Sequence, residues 1–163
     1  SEPVAQAIGD KFFSLLEVVI REESQVTPEE RLYIGEGKRD KVKYVRGRVS
    51  VADLTVVARD DLPRMVEKIV DTDQKRFIEF FNKSGPITTR LHQLELLPGI
   101  GKKHMWDVIE SRKEKQFETF EEISQRIKLL PDPKKAVIRR IMDEIENKDR
   151  YKLFVSGMTQ RQF

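Results

Sequence analysis

The chain has 163 residues, with 31 Lys and Arg against 28 Asp and Glu and a formal net charge of +3. Charged side chains make up 36% of it and apolar ones 38%, enough for a modest core and too much for wholesale disorder. The absence of Cys excludes disulfides, thiolate metal sites and a Cys nucleophile, and two His, at 92 and 104, argue against a His-rich metal site. No apolar run approaches the roughly 20 residues of a membrane span, and no signal peptide is visible. The expectation is a soluble, cytoplasmic protein of one domain or two small ones. High charge of both signs without Cys fits a protein from a hot environment, or simply solvated helix faces.

Charge is unevenly spread. Residues 1–30 carry a net −5, 31–60 a net +4, 61–97 balance, and 98–163 carry fifteen basic against eleven acidic side chains. Two basic regions hint at a polyanionic partner.

The first third reads as strands. Phe12–Ile20 is rich in Phe, Val, Leu and Ile, and Arg31–Ile34 is a short second run ending in Gly35-Glu36-Gly37, which is turn chemistry. Lys41–Val51 alternates, with Lys43, Val45, Gly47, Val49 and Val51 on one face and Val42, Tyr44, Arg46, Arg48 and Ser50 on the other. Leu54–Ala58 is a further β-rich run. Four or more short strands in so short a stretch predict a small barrel or sandwich over residues 1–60.

After Asp60 the period becomes helical. Leu62–Val70 has Pro63 near its start, and Thr72–Asn82 ends at Lys83-Ser84-Gly85-Pro86. Thr88–Leu97 then leads through Pro98-Gly99-Ile100-Gly101 into Lys102–Lys113. Thr119 with Glu122 forms a capping box opening Phe120–Lys128. Asp132-Pro133 is an N-cap followed by Pro at the first helical position, starting a helix to about Glu146. Tyr151–Val155 is a last apolar piece, and 156–163 reads as a tail. Helix, Leu-rich turn and helix occur twice, the second turn being Leu129-Leu130-Pro131-Asp132-Pro133-Lys134-Lys135.

The sharpest signal is Leu94, Leu97, Pro98, Gly99, Ile100 and Gly101, followed by Met105, Val108 and Ile109. Pro98-Gly99 makes a turn because Gly accepts positive φ. Ile100 plugs the space between helices, and Gly101 removes a side chain where the next helix begins. That helix start presents unpaired N–H groups at a positive dipole end, which receive a phosphate oxygen without reading a base. Lys102 and Lys103 add two cations. Over about residues 89–112, closing with Arg112, this stretch resembles the helix-hairpin-helix motif of non-sequence-specific DNA-binding proteins. It departs from the motif in Met105 for a small residue and His104 for Ser or Thr. The second hairpin, about 120–146, lacks both glycines and reads as degenerate, although Lys134, Lys135, Arg139 and Arg140 remain candidate backbone contacts. A turn of this kind also serves as a plain helix connector or a protein-contact module.

On the Lys41–Ser50 strand, Tyr44 beside Arg46 and Arg48 would stack one base and neutralise neighbouring phosphates. The alternative is an ordinary amphipathic strand with a wet polar face. Nearly the whole chain resembles an uncharacterised archaeal family of predicted nucleic-acid-binding proteins, through the Lys41–Val51 strand, the Leu96–Lys103 hairpin and Phe117–Ile127. The resemblance implies an OB-like barrel before a helix-hairpin-helix region, and an archaeal source. It implies no activity.

Carboxylates at Asp60-Asp61, Asp71 and Asp73, and Glu121-Glu122 read as turn or helix-start residues, and Asp143, Glu144 and Glu146 as an exposed helix face. Asp132 has a sufficient task as an N-cap. With no Walker or Rossmann fingerprint, the chain is expected to be no enzyme, with no catalytic residue, metal or cofactor. Trp106 reads as core or half-buried, His104 as solvated and His92 as a surface residue. The fold expected is α+β: an OB-like barrel over 1–60, then an all-helical tandem helix-hairpin-helix region over 61–155. The function expected is DNA or RNA binding through the phosphate backbone. The other reading is a protein–protein adaptor in an archaeal replication, repair or translation complex.

Overall fold

The computed structural model describes residues 1–156. These fall into two compact units, Ser1–Met65 with the segment from Glu144 onward, and Val66–Asp143.

The first unit is built on an antiparallel sheet of three strands in chain order, β1 (Val4–Ile8), β2 (Leu15–Ile20) and β3 (Val42–Arg48). β2 reads Leu-Leu-Glu-Val-Val-Ile and is buried at every position except Glu17, as a central strand between two neighbours requires. Leu16, Val18, Ile20 and Val42 form a cluster onto which Ala5, Val26, Leu32, Ile34 and Val45 pack. The strict alternation expected of β3 is broken by two register shifts, which set Ile20 opposite Val42 but Val18 opposite Val45. An inserted residue flips the phase of a strand. Val42 and Val45 therefore both serve the same core, although strict alternation put them on opposite faces.

Other β expectations are corrected. β1, too polar and weakly patterned to announce itself, is a strand. Arg31–Ile34 is irregular chain, whose neighbourhood satisfies itself locally: Tyr33 Oη donates to Glu36 O at 2.6 Å and Arg39 Nε to Gly35 O at 3.0 Å. Leu54–Ala58 is not a strand either. Asp53 Oδ2 accepts from Ser50 N and Oγ, both at 2.9 Å, closing a short 3-10 turn at Val51–Asp53. Thr55 Oγ1 then accepts from Ala58 N at 3.1 Å and caps α1 (Val56–Thr72), so caps override the β-branched Val56 and Val57. Among the described residues the sheet stops at three strands, with β1 and β3 as its edges, where a closed barrel was expected.

The second unit holds the remainder of α1, then α2 (Gln74–Lys83), α3 (Lys102–Glu114), α4 (Phe120–Arg126) and most of α5 (Pro133–Ile145). Phe77, Phe81, Leu94, Leu97, Val108, Ile123, Val137 and Ile141 are almost wholly buried. Asn82 ties α2 to the chain before α4 in both directions, its Nδ2 donating to Phe117 O at 2.9 Å and its Oδ1 accepting from Phe117 N at 2.8 Å. α4 and α5 start where their caps indicated. Thr119 Oγ1 accepts from Glu122 N, and Asp132 Oδ1 from Lys135 N, each at 3.0 Å. The helix expected over 88–97 does not form. Ile87 N donates to Leu91 O at 2.7 Å and Thr88 Oγ1 accepts from Arg90 N, which folds the segment into a loop before a single 3-10 turn, Gln93–Leu96.

Residues 151–156 have no regular structure but are held at Glu144, whose carboxylate accepts from the amides of Leu153, Phe154 and Val155 at 2.9–3.0 Å. Of the expected tail, Ser156 is described, its N–H donating to Phe12 O at 3.2 Å; 157–163 lie outside the described residues. No helix among the described residues is long and apolar enough to cross a membrane.

Candidate functional site

The hairpin before α3 is assembled from its sequence step by step. His92 caps the Gln93–Leu96 turn: its Nδ1 accepts from Leu94 N at 3.0 Å, and Glu95 Oε1 accepts from His92 N at 3.1 Å. Burial, followed by the Arg112 charge, pushes the His92 imidazolium down from its usual range, as a ring nitrogen that must accept a bond demands. Leu97-Pro98-Gly99-Ile100 is a reverse turn, with Ile100 N donating to Leu97 O at 3.1 Å. Gly99 has φ +82°, and Pro at the second position with Gly at the third is the type II pattern. A Cβ at Gly99 would stand 3.0 Å from Pro131 Cγ, so the tips of the two hairpins pack together. Ile100 is 4% exposed, the plug its place suggested.

Gly101 differs in kind. It is the N-cap of α3 in extended backbone, φ −96°, and a Cβ there would meet nothing within 4 Å. No side chain caps α3. The fold therefore does not require glycine at 101, and the first-turn amides of α3 receive no side-chain cap. Lys102 and Lys103 flank them, both exposed. Lys102 Nζ donates to Arg90 O at 2.7 Å and to Glu95 Oε1 at 2.8 Å, and that bond holds the Glu95 carboxyl below the usual carboxylate range. Lys103 Nζ reaches Asp107 at 3.1 Å in an exposed pair, of a kind that contributes little and exchanges readily.

The other expected contacts divide. Lys135 and Arg139 are exposed on α5, and among the described residues neither side chain makes a hydrogen bond or ion pair. Lys134 is paired with Asp71. Arg112 is turned inward, its Nη1 donating to Phe81 O at 3.1 Å and Ser84 Oγ at 3.2 Å, where it fastens the end of α2. Arg140 is 5% exposed and donates to Leu96 O at 3.3 Å, tying α5 to the first hairpin. Tyr44, Arg46 and Arg48 belong to the other unit, on edge strand β3. Tyr44 Oη donates to Glu2 at 2.8 Å, Arg46 lies 3.7 Å from Glu17, and Arg48 Nη2 reaches Ser156 Oγ at 3.5 Å.

Over residues 1–156 the sequence matches the model of a family described as "Protein of unknown function (DUF655)". The chain belongs to this family. It is similar to the uncharacterised protein MJ0038 of Methanocaldococcus jannaschii, 42% identical over 156 residues that make up 94% of this chain and 71% of that one. It is also similar to the crystal structure of the DUF655 protein Af1531 from Archaeoglobus fulgidus, with 48% identity and a TM-score of 0.85 over 95% of this chain and 86% of that one. The family thus has archaeal members.

Several side chains of this DUF655 chain stand apart from the expectations. Trp106, expected in the core or half-buried, is 56% exposed on α3, because Met105 and Val108 already supply the core-facing positions of that helix. His104 is half-buried, with an Nδ1 that is shielded from water and has no hydrogen-bond partner. His92 is buried as a cap, which its Leu94-Glu95 context signals only through the Glu three residues on. Glu144 is 2% exposed instead of lying on a wet face; the donors to its carboxylate are backbone amides, invisible in sequence. Leu129, 90% exposed, adopts φ +67° three residues before Asp132, the position that matches Gly99 of the first hairpin. Among the described residues no group of three or more His, Cys, Asp or Glu is placed to hold a metal ion.

Proposed function

We propose that this DUF655 protein binds DNA or RNA through the phosphate backbone, without reading bases, and that residues 93–114 act as a helix-hairpin-helix clamp. The observation that carries this reading is the open space at Gly101. A glycine that neither backbone strain nor packing demands stands before uncapped helix amides between exposed lysines. A phosphate oxygen is the acceptor such amides suit, and Lys102 and Lys103 supply its counter-charge. Lys135 and Arg139 extend the contact along a strand, while Arg112, Arg140 and Lys134 hold the clamp in shape. In this reading the OB-like character of the first unit is functional rather than a matter of a closed barrel: edge strand β3 offers Tyr44, Arg46 and Arg48 to a single strand. The role is binding in the cytoplasm, without catalysis or cofactor.

The test is fluorescence anisotropy of labelled duplex DNA, single-stranded DNA and structured RNA, with a Lys103→Glu/Lys135→Glu double variant beside the parent. Both positions are exposed and contribute little to the fold, so the variant should melt like the parent and bind at least tenfold more weakly. Absence of binding to every ligand at low salt overturns the proposal, and a protein adaptor becomes the reading to pursue by pull-down.

A further inference from the structure

Trp106 is the chain's only tryptophan and leaves more than half of its surface in water. The fold has no use for it there, since Met105 and Val108 on the same helix are buried. At one helical turn it follows Lys102 and Lys103, and Glu110 and Lys113 continue that side of α3. Lys102 takes up Glu95, Lys103 takes up Asp107 and Lys113 takes up Glu110, so the indole is an isolated apolar surface among exposed lysines held in ion pairs. A protein interface core needs contiguous apolar area. In the second unit, the other large exposed apolar side chain is Leu129, in the turn of the second hairpin. A single aromatic face beside cations suits a planar ring that carries its own phosphates.

We propose that Trp106 is a stacking platform for one unpaired base, and that the preferred ligand of the hairpin is a strand with unpaired nucleotides, single-stranded or frayed, rather than a blunt duplex. The inference rests on the phosphate-clamp reading above and names its ligand class. The phosphate sits at the start of α3, and the indole lies about 5 Å further along the axis, within reach of the base attached to the same backbone. A base kept in a closed duplex stack cannot present its face to the indole.

The experiment titrates the full chain with a short single-stranded oligonucleotide and with a blunt duplex, reading anisotropy of the labelled ligand and tryptophan emission together. As the sole tryptophan, Trp106 makes the emission a report on this position. The single strand should quench the emission and bind more tightly than the duplex. Trp106→Ala should lose about tenfold or more of the single-strand affinity, Trp106→Phe should retain most of it, and neither should alter duplex binding or the melting temperature. Single-strand binding that leaves the emission unchanged, or that Trp106→Ala does not weaken, overturns this inference and leaves the clamp standing. Absence of an anisotropy change with any nucleic acid overturns both.

Discussion

Two glycines separated by one residue have opposite reasons for being glycine. Gly99 sits at φ +82° with Pro131 against it, so Gly99→Ala should lower stability by about 1–2 kcal/mol, the strain of a left-handed non-glycine residue, before any clash is added. Gly101 is an N-cap in extended backbone with open space before it. Serine is a better N-cap than glycine, so Gly101→Ser should leave stability unchanged or raise it by a few tenths of a kcal/mol. The same hydroxyl would occupy the first-turn amides of α3 and lower nucleic-acid affinity. Urea denaturation and anisotropy on the two variants read these opposite effects, and loss of stability in Gly101→Ser without loss of binding would contradict them. His92 adds a pH dependence. Its folded pKa is depressed by burial, so the unfolded chain takes up its proton first and stability falls with pH. The loss should set in as pH drops below about 6.5, the ordinary histidine value, because a protonated ring cannot accept from Leu94 N. Thermal melts between pH 5 and 8 should show this slope, and His92→Asn, a cap that does not titrate, should remove it.

At the scale of elements, Glu144 is the fastening of the segment after α5. Three amide bonds end on one buried carboxylate, and bonds to charged groups contribute about 1.5–3 kcal/mol each. Glu144→Ala should therefore destabilise by at least about 3 kcal/mol, and the amides of Leu153, Phe154 and Val155 should lose hydrogen-exchange protection first. Equal protection in the variant would show that the segment is held by something else. The legibility of elements follows the range of the forces that make them. Where a cap and the amide that donates to it are three residues apart, as at Thr119 and Asp132, the sequence reading and the structure coincide. It failed where distant pairing decides. β1 is a strand because β2 lies beside it, β3 changes phase because of bulges set by its partner, and Glu144 is buried because residues nine to eleven positions on donate to it. It also failed where local polar bonds beat composition, as at Thr55 before Val56-Val57 and at Thr88 in the loop that replaces a helix. In the hairpin, the turn, the plug and the start of α3 were legible from Pro98 to Lys102. The inward turn of Arg112 and Arg140 was not, since a guanidinium on a basic helix looks the same in sequence whether it meets a carbonyl or a phosphate.

For the molecule as a whole, a net charge of +3 on 163 residues is a weak attraction for a polyanion, so binding must come from locally placed cations rather than from the overall field. Among the exposed ones around the two hairpins are the four of the proposed contact, Lys102, Lys103, Lys135 and Arg139. Four phosphate contacts release counterions with a log–log salt slope of about −3 to −4 on duplex DNA. The measurement that bears most directly on the proposed role is therefore the dissociation constant for a labelled duplex across a salt series, by anisotropy. A slope in that range, shallower by about one in Lys103→Glu, is the expected result. No binding at low salt, or an affinity indifferent to salt, would contradict a phosphate clamp and point to an apolar protein contact instead.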